Sequence, residues 1–95
     1  MRYPTLVFRV HALKRMHVRN VGVEAVRTVL ENGETLTSYH DDKPYPSRLV
    51  LGWEGARPLH VVMAEVPGTQ EAIVITVYEP DRSVWESDFR TRRRE

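Results

Sequence analysis

Three turn signals in the second half of the chain restrict its fold more than any other feature. Glu54-Gly55-Ala56-Arg57 and Pro67-Gly68 interrupt a long β-branched and apolar stretch, and Pro80-Asp81 ends it. Glycine at the first central position of a two-residue loop suits a tight hairpin, and Pro-Gly suits a type II turn or a looser hairpin loop. Between these signals, Arg48 to Trp53, Leu59 to Val66 and Glu71 to Glu79 have the length and the Val, Ile, Leu and Thr content of strands. The spacing predicts a three-stranded antiparallel meander. Thr35 to His40, polar and β-branched, adds a strand before it. Asp41-Asp42-Lys43-Pro44-Tyr45-Pro46-Ser47 should be exposed loop, because two prolines and two acids cannot continue either neighbour. The face that carries His60 stays open, since a one-residue change of register reverses every side chain.

The first third of the chain supplies cover for such a sheet. A short extended segment at Leu6 to Val10 leads into a helix at His11, which should stop near Asn20, where Asn-Val-Gly is a loop signal. From Val23 to Glu31, Val23, Val26, Val29 and Leu30 repeat at helical spacing, Glu24 favours the amino-terminal dipole, and Asn32-Gly33 offers a left-handed exit. Beyond Pro80, Val84, Trp85, Asp88 and Phe89 fall at helical spacing and predict a short carboxy-terminal helix that lays Trp85 and Phe89 on the sheet. The expected class is α+β: two amino-terminal helices packed on an antiparallel sheet of about four strands. Ninety-five residues, 41% of them hydrophobic, suit one domain over residues 1–95 with one modest core.

Other function classes drop out on composition. The chain has no cysteine, so there is no disulfide framework, thiolate nucleophile or thiolate metal ligand, as suits a reducing compartment. The apolar run near the amino terminus is short and broken by Arg9, unlike a signal-peptide core or a membrane span. The chain therefore reads as soluble, unprocessed and cytoplasmic. Gly-rich phosphate loops, serine nucleophile elbows and zinc-ligand pairs are absent. His40-Asp41-Asp42 is the one cluster with metal-ligand chemistry, and a hydrated acidic turn is the better account of it, so neither metal nor cofactor is expected.

Charge is distributed more tellingly than its net value of +1. Residues 1 to 19 carry Arg2, Arg9, Lys14, Arg15 and Arg19 against no acid, and residues 88 to 95 carry four arginines against Asp88 and Glu95. The middle is net negative. If folding joins the two ends they form one basic patch, the footprint of a nucleic-acid site, although Arg92-Arg-Arg-Glu95 alone reads as a solvated tail. Within the first patch, His11, Arg15 and Arg19 are spaced four apart, so a helix sets an imidazole and two guanidiniums along one slowly drifting flank. Like charges at that spacing repel, so an anion, phosphate above all, is the natural partner.

His11-x-x-x-Arg-Met-x-x-Arg19, Gly33, Pro46-Ser-Arg-Leu-Val-Leu-Gly52, Arg57-Pro-Leu-His-Val-Val62 and Ile75-Thr-Val-Tyr-Glu-Pro80 together resemble domain of unknown function 4258 over about residues 8 to 80, leaving a basic tail at 90–95. The resemblance implies a fold similar to the RelE, BrnT and MqsR type toxins, with helices on one side of a curved antiparallel sheet. It also implies pairing with a small acidic or zinc-finger antitoxin. On that analogy the chain is a toxin-like, metal-independent endoribonuclease of the mRNA interferase type, or an RNA-binding domain of a toxin-antitoxin system.

Metal-free cleavage uses the ribose 2′-hydroxyl as nucleophile and needs a base, an acid and cations on the phosphorane. His11 is the candidate base or acid, Arg15 and Arg19 the phosphate clamp, His60 a second acid or base, and Tyr78 a stacking or hydrogen-bonding group. Lys14, Arg48, Arg90, Arg92 and Arg93 are expected to line the RNA path. Plainer accounts stand beside these roles. His60 sits in an apolar strand and is better read as a satisfied core or sheet-surface histidine; Tyr78 is first a good strand former; Arg48 could simply pair with Asp41 or Asp42. The alternative function is a non-catalytic RNA- or protein-binding module of the same fold, and a third is a structural or homodimerisation module.

Overall fold

The computed structural model describes residues 3–94. Its elements are β1 (Thr5–Phe8), α1 (Val10–Arg19), α2 (Val23–Asn32), β2 (Glu34–Tyr39), β3 (Ser47–Glu54), β4 (Arg57–Glu65) and β5 (Glu71–Tyr78). They form an α+β fold with one five-stranded sheet in the order β1-β5-β4-β3-β2. The meander and the added strand are present as β2 to β5, all antiparallel. The sheet has five strands rather than about four, because the short extended segment before α1 joins it too. There β1 runs parallel to β5, with Thr5 opposite Glu71 and Phe8 opposite Val74. A parallel neighbour needs a crossover, and α1, α2 and the meander together supply it.

Both turns follow their chemistry. Gly55 has φ +61 while Ala56 stays on the negative side, the type II′ pattern. In Val66-Pro67-Gly68-Thr69 the Thr69 N–H donates to the Val66 carbonyl at 3.2 Å and Gly68 has φ +79, a type II turn. The exit of α2 differs from expectation. Gly33 is extended (φ −80, ψ 177) rather than left-handed; glycine fits there because a Cβ would stand 2.4 Å from the Val29 carbonyl oxygen and 2.6 Å from that of Leu51. The left-handed exit belongs to α1, at Asn20 with φ 56.

Ala12 and Met16 of α1, with Val26, Val29 and Leu30 of α2, pack on the sheet face made by Val50, Leu59, Val61, Met63, Ala72, Val74 and Val77. The opposite face carries Leu49 and Leu51, covered by Trp85 and Phe89. Burial on both faces explains why β3 and β4 read as apolar runs without alternation. The cover over the second face is not the expected helix. Residues 80–94 form turns closed by a Trp85–Arg92 bridge, in which the Glu86 N–H donates to Thr91 at 2.8 Å and the Arg93 N–H to Val84 at 2.8 Å. Phe89 takes a left-handed φ of 58, which helical continuation does not allow. Trp85 and Phe89 do reach the sheet, but on a looped strap.

One irregularity decides which residues share a face. Val62 pairs with Thr76 but Met63 with Val74, leaving Ile75 as an extra residue in β5. Ala72 and Val74 before the bulge and Val77 after it therefore all face the helices. Thr76 and Tyr78 turn to the strap side, and Tyr78 lies opposite His60.

Candidate nucleic-acid interface

α1 is held by few contacts. Ala12 and Met16, four residues apart, are its buried line, and the rest of its side chains are exposed, including Val10 at 67% and Val18 at 75%. Its first turn has no acid to complement the dipole, while His17 and Arg19 favour the last turn. Arg57 closes the far end: its guanidinium donates to the Arg19 carbonyl at 2.8 Å and the Asn20 carbonyl at 3.0 Å, and also pairs with Glu54. The helix terminus is thereby tied to the β3–β4 turn, a role for Arg57 that its position in the sequence does not announce.

Along the flank next to the buried line stand His11, Arg15 and Arg19, each advanced by about 40° from the one before. His11, Lys14 and Arg15 are exposed and have no hydrogen-bond or ion-pair partner among the described residues. Arg19, nearest the sheet, lines a cleft of about 340 Å³ with Pro58, Glu79, Pro80, Asp81, Arg82 and Phe89. In it the Ser83 backbone N–H, donating at 2.8 Å, holds the Asp81 carboxyl below its usual range, and the Arg19 charge acts the same way. The Arg82 guanidinium lies 5.4 Å from the centre of the Phe89 ring. Pro58 follows the β3–β4 turn that Arg57 ties to α1, Glu79 follows β5, and Arg82 lies in the turn begun at Asp81, so no local motif marks them.

His60 and Tyr78 are elsewhere. His60 is 0% exposed on the strap side of the sheet. Its Nε2–H donates to the Phe89 carbonyl at 2.8 Å, and its Nδ1 accepts from the Tyr78 hydroxyl at 3.1 Å. Those partners fix the neutral Nε2–H tautomer, because a carbonyl can only accept. Trp85 packs edge-to-face on the imidazole at 4.5 Å. Burial pushes the His60 pKa down, against the Phe89 carbonyl, which pulls it up. Burial also pushes the Tyr78 hydroxyl up, with Tyr39 adding to the effect and Arg92 opposing it. His60 and Tyr78 are thus engaged with each other beneath the strap, on the sheet face opposite the helices, while His11 and Arg15 are exposed on α1.

The remaining arginines are also dispersed. Arg48 pairs with Glu65 and donates to the Tyr3 hydroxyl at 2.6 Å, not to Asp41 or Asp42; the Asp42 carboxylate instead accepts from Ser47. Arg90 sits on Glu34, Arg93 on Glu86 and the Arg82 carbonyl, and Arg92 lies 5.5 Å from the Trp85 ring. All three belong to the strap, across the sheet from the helices. Arg90 and Arg92 are thus engaged within the strap and its sheet edge, whereas Arg93 reaches the carbonyl of Arg82, which lines the cleft with Arg19. Among the described residues no three His, Asp or Glu side chains cluster as a metal site, and no helix is long and apolar enough to cross a membrane.

The model of the domain of unknown function DUF4258 matches residues 8–79, and the chain belongs to that family. No curated protein matches the chain, and no solved structure matches it.

Proposed function

We propose that this chain is an RNA-binding domain that grips the phosphate backbone along the exposed flank of α1 through His11, Lys14, Arg15 and Arg19. The observation that carries the proposal is the contrast in pairing: Arg48, Arg57, Arg90 and Arg93 each rest on a carboxylate, whereas Lys14 and Arg15 have none among the described residues. Aligning unpaired cations on one helix is unfavourable in the free protein, and an RNA backbone relieves it. The face combines them with exposed Val10, Leu13 and Val18, so an acidic antitoxin, as the family resemblance implies, would compete for it.

A toxin-like endoribonuclease is the second reading, favoured by the exposed imidazole of His11 beside the phosphate-binding arginine. It has less support, because the two other candidate proton carriers, His60 and Tyr78, are engaged with each other under the strap. Incubation with single-stranded RNA in EDTA separates the two. Fragments ending in cyclic phosphate, lost in His11→Ala, establish catalysis. A salt-dependent mobility shift without fragments supports binding alone, and the absence of any shift at low salt rules out both.

A further inference from the structure

The cleft at the foot of α1 differs from the helix flank above it. The flank is purely cationic, but the cleft holds two guanidiniums, Arg19 and Arg82, together with two carboxylates, Glu79 and Asp81. A phosphate alone would not call for carboxylates. Asp81 is already engaged by Ser83 and faces the Arg19 charge. Glu79 is exposed in the cleft with no partner among the described residues, an ionised double acceptor beside two cations. Such a set fits a ligand that carries an anion at one end and two adjacent hydrogen-bond donors at the other.

Among the nucleotides only guanine has that pattern. Its N1–H and N2–H₂ stand side by side on the Watson–Crick edge and can both donate to one carboxylate. Adenine and cytosine place a ring-nitrogen acceptor beside their amino group, and uracil flanks its N3–H with two carbonyls, so each sets a lone pair against the carboxylate. The volume of about 340 Å³ is at the small end of ligand clefts, which suits one nucleotide rather than a run of bases. Pro58 and Pro80 border the cleft.

We propose that this cleft takes a single guanine nucleotide of the bound RNA, with Arg19 and Arg82 on its phosphate and Glu79 on the N1 and N2 edge of the base. The proposal rests on the RNA-binding reading of α1 and adds base preference to it. Uridine decamers with one central guanosine, inosine, adenosine or cytidine provide the test, measured by fluorescence anisotropy at fixed salt, with GMP and AMP titrated separately by calorimetry. The guanosine decamer is expected to bind about tenfold tighter than the adenosine and cytidine decamers, with inosine between, and Glu79→Gln should abolish the preference. Saturable GMP binding that AMP does not reproduce supports the cleft even if the decamers fail to bind, in which case only the α1 reading falls. Equal affinity for all decamers, or a preference that survives Glu79→Gln, overturns the guanine assignment and leaves RNA binding standing.

Discussion

The two faces of this molecule carry similar chemistry in opposite states. On the strap side an imidazole and a tyrosine are packed together beneath Trp85, the strap arginines sit on carboxylates or an aromatic ring, and each polar atom of His60 is satisfied. On the α1 side the His11 imidazole, Lys14 and Arg15 stand in solvent without partners among the described residues. The same residue types therefore act as mortar in one place and as an open surface in the other. What separates the two imidazoles is burial: His60 lies between Trp85, Phe89 and the sheet, while α1 buries Ala12 and Met16 and leaves its other side chains exposed.

Removing the buried imidazole should have the largest effect. His60→Ala leaves a cavity under Trp85 and strips the Phe89 carbonyl and the Tyr78 hydroxyl of partners. The expected loss is about 3 kcal/mol, read as a lower urea midpoint. RNA affinity, measured where the variant is folded, should be unchanged. A variant as stable as the parent would show that the strap is not held by this side chain.

The pH dependence should follow from the same group. Above about pH 6.5 His60 is neutral in both the folded and unfolded chain and adds no slope. Because burial lowers its folded pKa, the unfolded chain takes up the proton first as pH falls. Stability contributed by the neutral imidazole is therefore lost from about pH 6.5 downward, until the lowered folded value is reached. Comparing urea midpoints of the parent and His60→Gln across pH 7 to 5 isolates the term; parallel curves would refute it.

Much of this contrast was out of reach of the sequence, for physical reasons that differ by element. The helices and the hairpin turns are local, so periodicity and Gly55, Pro67 and Gly68 reveal them. Partners of β1 are not local: Thr5 meets Glu71 across the whole fold, and nothing in Thr5–Phe8 names that neighbour. That Tyr78 shares the face of His60 depends on the single extra residue Ile75, which leaves no mark in the pattern of β5. Val84, Trp85, Asp88 and Phe89 have helical spacing, yet Asp88 accepts from the Arg90 and Thr91 N–H groups and closes a turn instead. Of the candidate site, the sequence showed the cationic flank of α1 but not that Glu79, at the end of β5, and Arg82, in the turn after it, line a cleft with Arg19.

On the open face the expected signature is reversed. Arg15→Ala removes one of the aligned charges, so stability should stay level or rise by about 0.2–0.5 kcal/mol. Affinity for single-stranded RNA should fall, and the slope of log affinity against log salt should shrink by about 0.7. Thermal melts and a salt series of anisotropy titrations give both numbers. A destabilised Arg15→Ala with unchanged RNA affinity would make α1 a structural face like the other.

Arg90→Ala should have the smallest effect, and it is the sharpest check on whether basic residues near the two ends of the chain act together. The guanidinium sits on Glu34 at the exposed edge of the sheet, with both side chains about half exposed, so solvent and salt screen the pair. Its charge is already met by a carboxylate, and Arg90 lies across the sheet from α1. An RNA strand gripped by Arg15 and Arg19 would therefore release no further counterion at Arg90. The salt slope of Arg90→Ala should match that of the parent, and the double variant with Arg15→Ala should match Arg15→Ala alone. A slope reduced by Arg90→Ala as much as by Arg15→Ala would mean that the strand wraps the β2 edge to reach the strap, joining the two faces in one binding path.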